Sequence, residues 1–246
     1  GYRVFGQYND YYEDHTNAIR MHKRLHHSAP AHTSRLIPWL AQGTPFTCGP
    51  ASLQMALRTL LPDYPVTPED ELDIWREATT IFMTSGHGGC HPMGLALAAI
   101  KRGLTAQIWL SDSNPLFVDG VRDQLKKDVI QRVHLSFTRQ CTEQAIPVTY
   151  ATLPLGELIS AFDNGCIPLI LISTYRMDRS KSPHWVVMSG YDDHCIFVHD
   201  PYFLQADVSA SPMDCQYLPI ANDEFEKMSR FGRARLQATV LLNLSP

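Results

Sequence analysis

No apolar run in these 246 residues approaches the roughly 20 needed to cross a bilayer, so a membrane-spanning helix is not expected. Charge of one sign is also scarce. With 21 Lys and Arg against 25 Asp and Glu, the net charge of -4 argues against a nucleic-acid or anionic-membrane partner. No CxxC pair occurs. The six cysteines (Cys48, Cys90, Cys141, Cys166, Cys195 and Cys215) are scattered in the manner of reduced thiols rather than a disulfide framework, which points to a cytoplasmic protein. Cys90-His91 and His194-Cys195 lack the usual zinc-ligand spacing, so neither a metal nor another cofactor is expected. No signal-peptide pattern opens the chain at Gly1. What is abundant is ordinary: 44% hydrophobic residues, enough for a sizeable core in one large domain or in one domain and a smaller piece.

Helical signals dominate the first half. From Pro50 to Leu60, apolar residues at Leu53, Met55, Ala56, Leu57 and Leu60 recur with helical spacing, and Pro50 suits a first turn. Thr67-Pro68-Glu69-Asp70 combines an N-cap, a proline and acidic residues at a second helix start. A third helix over 93–102 follows the glycine-rich stretch 85–92 and is stopped by Gly103. A short strand is expected at 107–110 and a longer, partly polar helix over 118–140. The second half changes character. After a helix at 155–163, Ile167-Pro-Leu-Ile-Leu-Ile-Ser173 is apolar throughout, as in a strand buried on both faces. Residues 184–190 and 194–199 flank the polar turn Tyr191-Asp192-Asp193 as a hairpin, and 237–244 is a last strand. Helices first and an antiparallel sheet second predict an α+β fold with two facing halves.

Chemistry concentrates in Gln42-Gly-Thr-Pro-Phe-Thr-Cys48-Gly49-Pro50-Ala51. A cysteine at the mouth of a helix has its thiolate at the positive end of the dipole, which favours a nucleophile. A glutamine just upstream supplies a side-chain N–H for a developing oxyanion. The base this requires is best placed at His184, one of eleven histidines, at the start of a strand after Ser182-Pro183. The next strand ends at His199-Asp200-Pro201, and antiparallel pairing brings Asp200 near His184 to orient its ring. Rivals exist. Cys90 also precedes a helix but has no upstream glutamine, His194 and His199 compete as bases, and Asp192 and Asp193 sit at the far turn. His199 precedes Asp200 and is expected on the opposite strand face. Gly86, Gly88 and Gly89 allow either close approach of a substrate backbone or a tight loop, with the loop favoured.

Gln42, Cys48-Gly49-Pro50-Ala51, His184-Trp-Val-Val and Asp200-Pro201, in this order, resemble papain-like cysteine peptidases, and within them the bacteriocin-processing, double-glycine-leader peptidases. The resemblance spans about residues 36–246. It implies a papain-like fold, with the cysteine on a helical half packed against an antiparallel sheet carrying His184 and Asp200. It also implies Cys48 as nucleophile, His184 as base and then acid, and Asp200 as the orienting residue. The oxyanion hole would be formed by Gln42 and the Cys48 backbone N–H. The glycine-rich stretch 86–92 and an insertion over 111–150 depart from the best-known members, so leader-peptide specificity is not carried over.

The first residues read differently. Gly1-Tyr-Arg-Val-Phe-Gly6 is expected as a strand, 9–14 as a polar aromatic loop and 17–25 as a second strand. This segment resembles the last β-hairpin of GNAT-type N-acetyltransferases, although the glycine loop that would cradle acetyl-CoA phosphates is missing. The expected division is therefore a remnant of an acetyltransferase-like domain at 1–27, a linker at 28–35 and the peptidase-like domain at 36–246. The plainer alternative is a surface hairpin without catalytic role. The expected function is peptide-bond hydrolysis on a peptide or protein substrate through a Cys48 thioester. Acyl transfer to an amine or amidase chemistry at the same site, or an idle peptide-binding module, are the alternatives.

Overall fold

The computed structural model describes residues 2–8, 16–23, 33–83, 86–119, 121–175, 182–203 and 211–245. β1 (Tyr2–Tyr8) and β2 (Ala18–Lys23) pair antiparallel as a separate two-stranded sheet, so the expected hairpin is present. The expected loop at 9–14 and most of the expected linker lie outside the described residues. Thr33 and Ser34 do not behave as linker. They form β3 (Thr33–Ser34), which pairs with the main sheet, and Arg35 N–H continues the contact to the Ser189 carbonyl at 3.0 Å. The main body thus begins before residue 36, because backbone pairing and not composition sets its edge.

Three helices follow: α1 (Cys48–Leu60), α2 (Pro68–Ala78) and α3 (Pro92–Lys101). The Thr67 hydroxyl accepts from Asp70 N–H at the start of α2, the cap that the sequence announced. His91 plays the same part for α3, its Nδ1 accepting from Met93 N–H at 3.1 Å. Gly103, at φ +88°, ends α3 with a backbone that other residues rarely adopt. Arg102 binds Asp70 at 2.8 Å and Glu77 at 2.6 Å, tying the end of α3 to α2.

β4 (Leu104–Leu110) then enters the sheet, followed by α4 (Gln124–Glu143), β5 (Val148–Tyr150), α5 (Leu155–Asp163), β6 (Ile167–Ser173), β7 (Pro183–Tyr191) and β8 (Cys195–His199). A single 3-10 turn at Pro212–Cys215, β9 (Leu218–Ala221), α6 (Asn222–Met228) and β10 (Ala238–Leu244) complete the main body. α4 starts six residues later than the apolar spacing from 118 suggests. The Asp123 carboxylate accepts from Lys126 N–H and caps the helix there, while the preceding stretch lines a cleft.

The sheet order is β5-β4-β10-β6-β7-β8-β9, with β3 on β7. It is antiparallel except for β4 against β5, and β4 comes from the helical half of the sequence. The expected order of helices and then an antiparallel sheet holds for most of the chain, but two strands of that sheet, β3 and β4, are contributed early. β6 shows why the strand is apolar throughout. Ile167, Leu169 and Leu171 pack into the core beneath α1 and α3, whereas Ile170 and Ile172 pack into a second core beneath α5 and α6. Trp185 and Val187 of β7 face the first core, and Val186 and Met188 the second. Among the described residues, no helix is long and apolar enough to cross a membrane.

Candidate active site

Cys48 is the first residue of α1 and lines a cleft of about 1340 Å³, with 7% of its surface exposed. The turn before it explains its setting. Thr47 Oγ1 accepts from Thr44 N–H and donates to the Thr44 carbonyl, both at 3.1 Å, so that hydroxyl makes no capping bond to α1. The positive end of the helix is left uncapped beside the thiol.

α1 is locked to β7 one turn further on, where Ser52 Oγ donates to the Trp185 carbonyl at 3.2 Å. Trp185 Nε1 in turn donates to the Cys90 carbonyl at 3.1 Å. These bonds fix His184, the residue before Trp185, relative to Cys48. The His184 imidazole lies close enough to the Cys48 sulfur for the two to interact electrostatically, and its Nε2 lies 2.6 Å from Asp200 Oδ1. With Nε2 engaged by the carboxylate, Nδ1 is the ring atom left for sulfur. Burial opposes charge on this ring, but the Asp200 carboxylate and then the Cys48 sulfur outweigh it and push its pKa up to about 10.

Asp200 follows the end of β8 and is held on every side. Its N–H donates to the Cys215 carbonyl at 2.9 Å, and its carbonyl accepts from Trp39 Nε1 at 2.7 Å. Its Oδ1 also accepts from Tyr202 N–H at 2.7 Å. Trp39, Ser52 and Tyr202 are site residues that sequence reasoning missed. For Trp39, the signal that could have found it is an indole N–H, which seeks a partner when its ring packs, just ahead of Gln42.

Gln42 is half-buried, and its N–H donates to the Pro201 carbonyl at 2.8 Å. Its Nε2 donates one hydrogen to the Thr44 carbonyl at 2.8 Å, which fixes the orientation of the amide and leaves the second N–H. Gln42 Oε1 is buried without a partner among the described residues.

The rival residues lie elsewhere or serve packing. Cys90 is 2% exposed, and burial, then the neighbouring Cys48, push its thiol well above the usual range. It presses on α1: a Cβ on Gly49 would meet Cys90 Cβ at 3.0 Å and Trp185 Cδ1 at 3.2 Å. His194 sits with Asp192 and Asp193 in the turn between β7 and β8. His199 is fully buried between the Ile37 carbonyl (3.2 Å from Nε2) and Tyr217 N–H (3.0 Å from Nδ1), and burial lowers its pKa to about 4. At Gly88 the loop reading holds. A Cβ would come within 2.6 Å of the Ile81 nitrogen, and the Gly88 carbonyl accepts from Trp75 Nε1 at 2.9 Å. Gly89 differs in lining the cleft beside Met83 and His87.

A thiol at a helix N-terminus, an imidazole between it and a carboxylate, and the cleft that the thiol lines form one connected unit. Its sequence matches the Peptidase_C39 like family over residues 37–243. The chain belongs to that family. The match leaves the β1–β2 hairpin outside it. Among solved structures, a protein described as a C39-like peptidase from Bacillus anthracis is similar, with 13% identity, 87% of this chain and 99% of that one covered, and a TM-score of 0.50. A double glycine motif protease from an AMS/PCAT transporter, solved in complex with its leader peptide, aligns with 14% identity over 86% of this chain and 94% of that one, at a TM-score of 0.43. A search of curated proteins finds no match. The fold is thus the papain-like α+β fold of C39 peptidases. Within this family member, the segment over 111–150 supplies Leu116 and Phe117 to the cleft that Phe46 and His87 also line.

Proposed function

We propose that this C39-like protein is a cysteine peptidase that hydrolyses peptide bonds through a thioester on Cys48. One observation carries this reading: the His184 imidazole, 2.6 Å from Asp200, interacts with Cys48, which lines a cleft of about 1340 Å³. His184, whose charge Asp200 favours, takes the proton of the thiol. The Cys48 thiolate attacks the scissile carbonyl carbon, and the oxyanion is met by Gln42 Nε2–H and the Cys48 backbone N–H. The C–N bond breaks as His184 Nδ1–H protonates the leaving amine, which leaves an acyl-thioester. Water then attacks, giving a proton to His184, and the C–S bond breaks to return thiolate and imidazolium. Asp200 holds the ring throughout, so that Nδ1 and not Nε2 faces the reaction.

The cleft wall suggests what is read in the substrate. Leu116, Phe117, Phe231 and Leu236 offer apolar surface, with Arg122 and Arg233 among them. A peptide with apolar side chains on one side of the scissile bond suits that wall. Incubation with a peptide library, read by mass, tests the reaction. Paired fragments whose masses sum to the parent plus water support hydrolysis, whereas mass gain on amines would replace it by acyl transfer. Cys48→Ala is expected to lower the rate by about 10⁴-fold or more and to remove rapid iodoacetamide labelling near neutral pH. Rapid labelling that survives this substitution would move the nucleophile to Cys90.

A further inference from the structure

We infer that Glu71 is a positioning residue for the oxyanion hole, acting through Gln42; the inference rests on the peptidase reading above. Glu71 belongs to the first turn of α2, is 7% exposed and takes no part in the Arg102 network of that helix. Its Oε1 instead accepts from Gly43 N–H at 2.8 Å, 28 residues earlier in the chain. The carboxylate lies flat against this glycine: a Cβ there would stand 3.1 Å from Oε2 and 3.5 Å from Oε1. A carboxylate nearly removed from water needs a reason to be there, and the positive end of α2 offsets only part of the cost.

The reason is visible in the strap over residues 39–43. Trp39 Nε1 donates to the Asp200 carbonyl and Gln42 N–H to the Pro201 carbonyl, at 2.7 and 2.8 Å, which fastens one side of the strap to the segment carrying Asp200. Glu71 fastens the other side to the helical half. Gln42 is thus gripped through the two N–H groups that flank its Cα, its own bonded to Pro201 and that of Gly43 bonded to Glu71, one acceptor from each half of the molecule. The Gln42 side chain leaves from that gripped backbone and is turned back by its bond to the Thr44 carbonyl at 2.8 Å. An oxyanion donor contributes only when its N–H already points where the charge develops, and a displacement near 1 Å removes much of its effect. Without Glu71 the strap keeps its bond to Pro201 but is free to swing about it, taking the amide with it. Only an acceptor at this position is required. The charge itself is not.

Two reactions of the same sulfur separate this role from general support. Acylation of Cys48 by p-nitrophenyl acetate passes through a tetrahedral oxyanion, whereas alkylation by iodoacetamide does not. Glu71→Ala is expected to slow acylation by about 10- to 100-fold while alkylation stays within about two-fold. Glu71→Gln, which keeps the carbonyl acceptor, is expected to acylate within about three-fold of the unaltered protein. Gln42→Ala should show the same selective loss, and adding Glu71→Ala to it should cost little more, as for two residues acting through one group. Unchanged acylation in Glu71→Ala, a parallel fall in both reactions, or losses that multiply in the double variant would overturn the inference. Failure of the unaltered protein to form an acyl-enzyme on Cys48 would instead sink the peptidase reading itself.

Discussion

At the mouth of β7 and β8, one histidine is held between a thiol and a carboxylate; between α3 and α4, two histidines are held against each other. His184 carries the charge-favouring partner, Asp200 Oδ1, at 2.6 Å. His91 and His134 are 1% and 3% exposed, with His91 Nε2 3.0 Å from His134 Nδ1. Since His91 Nδ1 accepts from Met93 N–H, its proton sits on Nε2 and is donated to His134 Nδ1. The Ser113 backbone and the Asp112 carboxylate favour charge on His134, but burial outweighs them. Burial lowers both of these pKa values, and for His91 the proximity of His134 lowers it further. Burial that outweighs the surrounding groups therefore makes a histidine a neutral strut. Burial against a carboxylate makes it a charged reagent.

The comparison breaks most sharply at Asp200. Asp200→Ala removes what offsets burial at His184, so the ring should fall back towards the behaviour of His134. We expect kcat to drop by about 10²-fold or more with KM little changed, and the alkaline limb of the pH–rate profile to move down from near 10. A full pH profile of both proteins checks this; an unmoved alkaline limb would mean that another group holds the imidazole.

Acid should sharpen the contrast. His199, His91 and His134 have lowered folded-state values, about 4 for His199. The unfolded chain binds their protons near 6.5, so their contribution is complete above that pH and is lost as pH falls from 6.5 towards 4. For His199 this amounts to roughly 3 kcal/mol. His184 has the opposite sign. Its raised value contributes stability that is present below 6.5 and lost as pH rises through about 10. Urea titrations across the pH range should show both slopes, and His199→Gln should flatten the acid one. The smallest effect is expected for His134→Leu, which leaves the His91 Nε2–H buried without a partner. A loss of about 1–3 kcal/mol in urea unfolding, with kcat unaltered at neutral pH, would identify this pair as structural; a fall in kcat would tie it to the cleft.

How far this organisation was readable depends on the range of each interaction. The caps at Thr67 and Gly103 and the apolar run of β6 were legible, because each is a local rule acting over a few residues. The late start of α4 at Gln124 was not, because apolar residues from Val118 serve the cleft instead of the helix. Nor was the role of Thr33 and Ser34, since pairing of β3 with β7 spans more than 150 residues and leaves no local pattern. At the site, Cys48, His184, Asp200 and Gln42 stood out by residue type and by the elements that carry them. Trp39, Ser52, Tyr202 and Glu71 did not, because all four bonds run through backbone N–H or carbonyl groups that any sequence possesses.

By itself, then, the sequence determined that a cysteine-bearing helix, a histidine-bearing strand and a following aspartate exist, since propensity, capping and apolar period are local properties. Only the tertiary structure decided that His184 touches Cys48 on one side and Asp200 on the other, that Cys90 is sealed beneath α1, and that His199 is neutral. Those outcomes turn on distances of a few ångströms between residues far apart in the chain, and on how much water packing removes around each titratable group.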